Sequence, residues 1–153
     1  MPRLVDRLYA SYDCDGKHFL DNVDVGGITI KQQYCSHDLR YLLGLLNSKL
    51  LRWYFPYVSA PFRGGWLSAN RQFLSQLPIH PINFSDPADA AHHDHMVALV
   101  EHMLNLHQRL ATAKTPNDKT MLQRQIEATD RKIDALVYTL YGLSVEEIRV
   151  VEG

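Results

Sequence analysis

Residues 96–110 read MVALVEHMLNLHQRL and residues 122–140 read LQRQIEATDRKIDALVYTL, and these two stretches decide the architecture. In the first, Met96, Leu99, Met103, Leu106 and Leu110 advance in steps of three and four; in the second, Leu122, Ile126, Thr129, Ile133, Leu136 and Leu140 do the same. Each stretch therefore predicts a helix with one apolar seam. Only a short polar break at Thr115-Pro116-Asn117-Asp118 separates them. The seams are expected to face each other in an antiparallel hairpin roughly 30 Å long, at about 1.5 Å per residue. The first helix starts between Pro87 and His95, and Thr115 caps the second, with Pro116 in the first turn and Asp118 completing a capping-box-like arrangement. Gly142 reads as a C-terminal cap, and Ser144-Val145-Glu146-Glu147 as a capping box that opens a short last helix. Such a hairpin positions other groups and performs no chemistry itself.

Ahead of it, Leu77-Pro78-Ile79-His80-Pro81-Ile82 is an extended linker, because each residue before a proline is pushed out of the helical region. It divides the chain into a unit over residues 1–82 and the hairpin with its last helix over 83–153. Within the first unit, Ser36-His37-Asp38 caps a helix that runs to about Tyr54 and is stopped by Pro56. Leu39, Leu42, Leu43, Leu46, Leu50 and Trp53 line one face, and Leu45 and Leu51 widen the stripe, which marks a core helix. From Arg3 to Tyr34 the pattern is strand-like. Leu8-Tyr9-Ala10 and His18-Phe19-Leu20 flank the turn signal Asp13-Cys14-Asp15-Gly16, and Ile28 to Gln32 alternates after Gly26-Gly27. Three or four strands make only part of a sheet, since a small isolated sheet is marginally stable. The expected fold is α+β: a small partial sheet packed on a core helix, followed by a long antiparallel helical hairpin.

With 153 residues, 46% of them hydrophobic, the chain can bury one real core. The formal net charge is -1, so bulk charge neither demands nor excludes a polyanionic partner. Cys14 and Cys35 are the only cysteines and form no C-x-x-C pair, which fits two ordinary thiols in a reducing cytosol. No apolar run approaches 18 residues and the N-terminus has no signal-peptide core, so a soluble, cytoplasmic protein without a membrane partner is expected.

Local charge is more informative. From Leu39 to Ser85 there are Arg40, Lys49, Arg52, Arg63 and Arg71 and no Asp or Glu at all. The same window holds nine of the fifteen aromatics and the loop Pro61-Phe62-Arg63-Gly64-Gly65-Trp66. Cations without acids to neutralise them suit phosphates, and Arg or Asn on a loop could read base edges. The plainer alternative is that the aromatics are core and the basic residues a solvated rim.

Catalytic and metal-binding patterns are absent. His92, His93, His95 and His102 lie close together, but only His95 and His102 share a helical face; they read as polar surface histidines, with no metal. Asp15-Gly16-Lys17 and Asp130-Arg131-Lys132 match only the acid-x-Lys half of a metal-dependent nuclease pattern. There is no Gly-rich phosphate loop, no G-x-S-x-G and no Cys-His arrangement with an orienting third group. No catalytic residue is assigned.

Four blocks then acquire a common meaning. They are Ala10-Ser11-Tyr12-Asp13 to Asn22, Tyr41-Leu42-Leu43-Gly44-Leu45-Leu46-Asn47-Ser48-Lys49-Leu50-Leu51 to Phe55, Phe73-Leu74 to Ile79, and Ile133-Asp134 through Leu136-Val137-Tyr138 to Ile148. In this order they resemble the C-terminal specificity, or target-recognition, domain of Type IIG-style restriction-modification enzymes and adenine-specific DNA methyltransferases, the TaqI-like specificity domain. The resemblance implies a module that recognises double-stranded DNA and presents it to a methyltransferase domain or subunit. The Asn-Pro-Pro-Tyr methyltransferase motif is missing, so no cofactor is expected in this chain, and S-adenosylmethionine would belong to the methyltransferase part. The match begins in mid-domain, so the chain reads as the C-terminal portion of a larger enzyme. Block order and the acid-free window together nominate Lys49, Arg52, Arg63 and Arg71 for positioning and Asn70, Gln32 and Gln33 for base readout, with Lys31 beside them. The alternative is a helical interaction module, a homodimer through the hairpin, indifferent to DNA.

Overall fold

A computed structural model of the chain describes residues 4–13, 15–16, 26–31 and 36–153. The helical hairpin is formed by α4 (Pro87–Thr112) and α5 (Pro116–Leu140), followed by α6 (Val145–Glu152). At about 1.5 Å per residue each long helix spans roughly 38 Å. Asp86 caps α4 by accepting the Ala88 N–H (2.9 Å). Thr115 caps α5 through the Asp118 N–H (3.0 Å), and its hydroxyl donates to the Asp118 carboxylate (2.7 Å). Both halves of the Ser144/Glu147 box are present. Gly142, at φ 62°, ends α5: its N–H reaches Thr139 O and that of Leu143 reaches Tyr138 O, pairing carbonyls that the helix leaves open.

All six seam residues of α5 are buried. On α4, Met96 and Leu106 are buried, while Leu99, Met103 and Leu110 are only partly so; Val100 and His93 take buried places outside the expected seam. The reason is that α4 has two neighbours. It packs on α5 along one side and on α1 (Leu39–Asn47) along another. Gly44 permits the second approach, since a Cβ there would stand 2.5 Å from Met96 Sδ and 3.1 Å from Val100 Cγ2.

The single helix expected over 39–54 is two helices, α1 and α2 (Lys49–Val58), hinged at Ser48. Ser48 is extended (φ -68°, ψ 153°), and its buried hydroxyl donates to Leu45 O (2.7 Å) and accepts from Leu51 N–H (3.3 Å). The Lys49 N–H, which has no helical partner, is taken by Asp134 Oδ1 of α5 at 2.8 Å. Pro56 does not stop α2, which runs to Val58 with the Ser59 N–H on Phe55 O. The ring removes one helical hydrogen bond, and the ladder closes again beyond it.

Of the described strands, one lies in the stretch expected to be strand-like and two lie beyond it. β1 (Leu4–Val5), β2 (Pro61–Phe62) and β3 (Trp66–Ser68) form an antiparallel sheet in the order β1-β3-β2. Two of the three strands thus come from the aromatic loop, closed over Gly64 and Gly65 at φ 78° and 80°. Leu8 to Ala10 is not a strand. There the Asn47 side chain substitutes for a neighbouring strand, its Oδ1 accepting the Ala10 N–H and its Nδ2 donating to Ala10 O, each at 3.0 Å. Residues 26–31 form no strand either, and the expected strand at 18–20, Gln32 and both cysteines lie outside the described residues.

The proline linker is docked. Tyr141 Oη accepts the His80 N–H (3.1 Å) and donates to Pro78 O, while Tyr41 Oη donates to His80 O (3.1 Å). A short α3 (Arg71–Leu74) precedes it. One core joins Val5, Leu8, Leu45, Leu51 and Phe55 to Met96, Ile133 and Val137, and a smaller one, Leu106, Leu122 and Ile126, fills the far end of the hairpin. Among the described residues, no helix is long and apolar enough to cross a membrane.

Candidate nucleic-acid interface

The cations of the acid-free window separate into engaged and open ones. Acids from elsewhere in the fold reach Arg40 and Lys49. The Arg40 guanidinium forks onto the Asp38 carboxylate (Nε to Oδ1 3.0 Å, Nη2 to Oδ2 2.7 Å) and meets Glu101 at 3.2 Å. That hydrogen bond holds the Asp38 carboxyl below its ordinary range. Lys49 Nζ pairs with Glu152 of α6, whose other oxygen accepts the Tyr138 hydroxyl (2.7 Å). The Lys49 ammonium, and then Tyr138, lower the Glu152 pKa. Arg52 is partly buried, and its Nε is enclosed with no hydrogen-bond partner among the described residues.

Arg63 and Arg71 are different. Arg63 lies exposed in the turn between β2 and β3, and Arg71 lies exposed at the start of α3. Among the described residues neither meets a carboxylate. Lys31 is exposed as well, whereas Gln32 and Gln33 lie outside the described residues. Asn70 is committed locally: its Oδ1 caps α3 through the Gln72 N–H (3.1 Å) and its Nδ2 donates to Ser68 Oγ (3.2 Å).

The aromatics divide too. Tyr41 and Phe55 are core, as the plainer reading of the window has it. Trp53, Tyr57, Phe62 and Trp66 are 37, 72, 59 and 46% exposed. Trp53 and Tyr57 stand one turn apart on α2 with ring centroids 5.1 Å apart, and Phe62 is opposite Trp66 in the β2–β3 register. The open cation Arg63 therefore sits directly between two exposed aromatic positions.

His93 is not a surface histidine. It is buried, its Nε2 accepting the Asp38 N–H (3.2 Å) while Nδ1 lies 3.0 Å from Asp94 Oδ1. An accepting Nε2 leaves the proton on Nδ1, so the ring is a neutral structural link between α4 and the cap of α1. No three His, Cys, Asp or Glu side chains gather into a metal-binding group among the described residues.

The residues that act on this surface from outside the window, Glu152, Asp134 and Glu101, carry no sequence signal for that role, being far along the chain from Lys49 and Arg40, which they meet. A signal for the β2–β3 ribbon was present, since Gly-Gly between aromatic residues is a hairpin pattern.

Comparison with known proteins gives a consistent result. The Type II restriction enzyme and methyltransferase RM.Eco57I of Escherichia coli is 27% identical over 108 residues, which cover 70% of this chain and 11% of that protein. The chain thus spans about a tenth of the length of this curated relative. No solved structure matches. The model of the TaqI-like C-terminal specificity domain matches residues 1–79, more than half of the sequence and including the β2–β3 ribbon, and the chain belongs to that family.

Proposed function

We propose that the chain is a sequence-specific DNA-recognition module of a restriction-modification enzyme or DNA adenine methyltransferase. Residues 1–82 form the recognition unit and 83–153 the arm that braces it against a methyltransferase domain or subunit, which would bring S-adenosylmethionine and the chemistry. The observation that carries this reading is the β2–β3 ribbon, where Arg63 lies exposed beside Phe62 and Trp66 in a stretch of 47 residues without a carboxylate. Membership of a specificity-domain family, and a relative named for both restriction and methylation, support it. Arg63, Arg71 and Lys31 are the open cations for DNA. Lys49 and Arg52 are the further basic candidates on α2, with Lys49 neutralised at rest by Glu152, and Asn70, Gln32 and Gln33 are the polar candidates.

The test is fluorescence anisotropy of a labelled duplex titrated with the chain at low and then rising salt. Binding at low ionic strength that weakens as salt rises is expected, because each phosphate contact contributes a log–log slope of about -0.9. Absence of binding at low salt sinks the proposal. A homodimer through the hairpin is the competing reading. The seam is already filled within the chain, so such a dimer must use outward groups such as Met121, 53% exposed near the hairpin tip. Light scattering that shows only monomer over a wide concentration range removes it.

A further inference from the structure

At the end of the β2–β3 ribbon the sheet narrows. Among the described residues β1 pairs with β3 only at Leu67 and Ser68, so beyond Leu67 the described ribbon is two-stranded, with Phe62 opposite Trp66 and Arg63-Gly64-Gly65 closing it. A two-stranded ribbon is one of the few elements that the B-DNA major groove, about 12 Å wide, admits. Gly64 and Gly65 both hold positive φ, a backbone open to glycine, and their missing side chains keep the tip slim. Two large aromatics exposed side by side at such a tip are apolar surface of the kind that a partner covers.

Charge identifies the partner's chemistry. Arg63 has neither an ion pair nor a hydrogen bond among the described residues, and its guanidinium is a planar fork. In the major groove that fork matches the O6 and N7 acceptors of guanine, whereas adenine and cytosine present a donor and thymine a methyl group. Asn70 cannot offer the equivalent adenine-reading pair without giving up both its cap and its bond to Ser68. Base readout by this surface therefore falls to the arginine rather than the asparagine.

Resting on the DNA-recognition reading above, we infer that the β2–β3 ribbon enters the major groove of double-stranded DNA and that Arg63 selects guanine at one position of the target. Phe62 and Trp66 cover apolar groove surface beside it, and Arg71 holds a phosphate and carries no sequence information.

The experiment is selection from a randomised duplex library at low salt, followed by sequencing, with the wild-type chain, R63A and R71A. Thermal melts check that the variants fold; both side chains are exposed and make no side-chain bond among the described residues, so the curves should overlay. The wild type should enrich guanine at a fixed position. R63A should lose about 5- to 150-fold of that preference and retain the rest of the pattern, as expected for one bidentate pair. R71A should weaken binding to all sequences alike and leave the pattern intact. An R63A pattern identical to wild type overturns the inference, as does a uniform loss of affinity, which would make Arg63 a phosphate contact. Wild-type binding to duplex with no base preference overturns it too. A wild-type chain that retains no duplex at any salt is a separate result, because it removes the DNA reading itself.

Discussion

Asp134 is a buried carboxylate on α5 that accepts the backbone N–H of Lys49, 85 residues earlier in the chain. It acts as a remote cap for α2. Burial pushes its pKa up from the ordinary value of 3.8, against the opposing pull of the Lys49 N–H. A raised folded-state pKa means that the folded chain holds this proton to higher pH than the unfolded chain does. Stability from this group is therefore fully present below about pH 3.8 and is lost as pH rises through the folded value. Asp38 has the opposite sign: its pKa is lowered by Arg40, so its contribution is present above 3.8 and lost in acid. D134N keeps an acceptor oxygen and removes the ionisation. Urea denaturation should find D134N at least as stable as wild type at pH 7, with the advantage shrinking towards pH 4. D134A leaves the Lys49 N–H without its acceptor and should cost about 1–3 kcal/mol at either pH. If D134N were as damaged as D134A at pH 7, the capping role assigned to the neutral acceptor would be wrong.

Elements whose signals are local were legible in the sequence, and those set by distant partners were not. The α4/α5 hairpin, its Thr115 cap, the Ser144 box and the Gly142 terminus each rest on residues within a few positions of one another, and each is present. The hinge at Ser48 is hard to see because the leucine stripe runs through it without interruption; the break rests on the Ser48 hydroxyl, which caps α2, together with a buried acceptor on α5. Leu8 to Ala10 has strand composition but pairs with an asparagine side chain, which no periodicity encodes. Of the candidate site, the acid-free window was readable, whereas the neutralisation of Lys49 and Arg40 by Glu152, Asp38 and Glu101 was readable only in the Asp38-x-Arg40 spacing. The linker is a further case, since its prolines announce an extended segment but not that Tyr141 fixes it. Y141F should remove the bonds to Pro78 O and the His80 N–H, at a cost of about 1–2 kcal/mol. Hydrogen exchange should speed up at His80 while α5 stays protected. Unchanged melting and unchanged exchange at His80 would show that the linker is held by Tyr41 and packing alone.

At the scale of the whole molecule, α6 links the C-terminal end of the fold to the proposed DNA surface. Net charge is only -1, so duplex affinity has to come from cations gathered on the proposed surface, such as Arg63 and Arg71, and Glu152 removes Lys49 from that set. Both side chains of the pair are about 40% exposed, which keeps its worth to stability small, below about 1 kcal/mol. Its effect on binding is larger in proportion, since each phosphate neutralised adds about 0.9 to the salt slope. E152A, which also takes the acceptor from the Tyr138 hydroxyl, should lose about 1–2 kcal/mol of stability yet bind duplex more tightly at low salt, with a log–log slope steeper by about 0.9 as Lys49 gains a phosphate. K49A in the wild-type background should change the slope little, because that ammonium is already neutralised, and K49A combined with E152A should cancel the gain. Anisotropy titrations of the three variants over a salt series measure all of this. A slope that K49A alone flattens by about 0.9 would mean that Lys49 leaves Glu152 for DNA in the unmodified protein. The carboxylate would then be a resting partner of the ammonium, set aside whenever duplex is bound, and the DNA surface would extend from the ribbon onto α2.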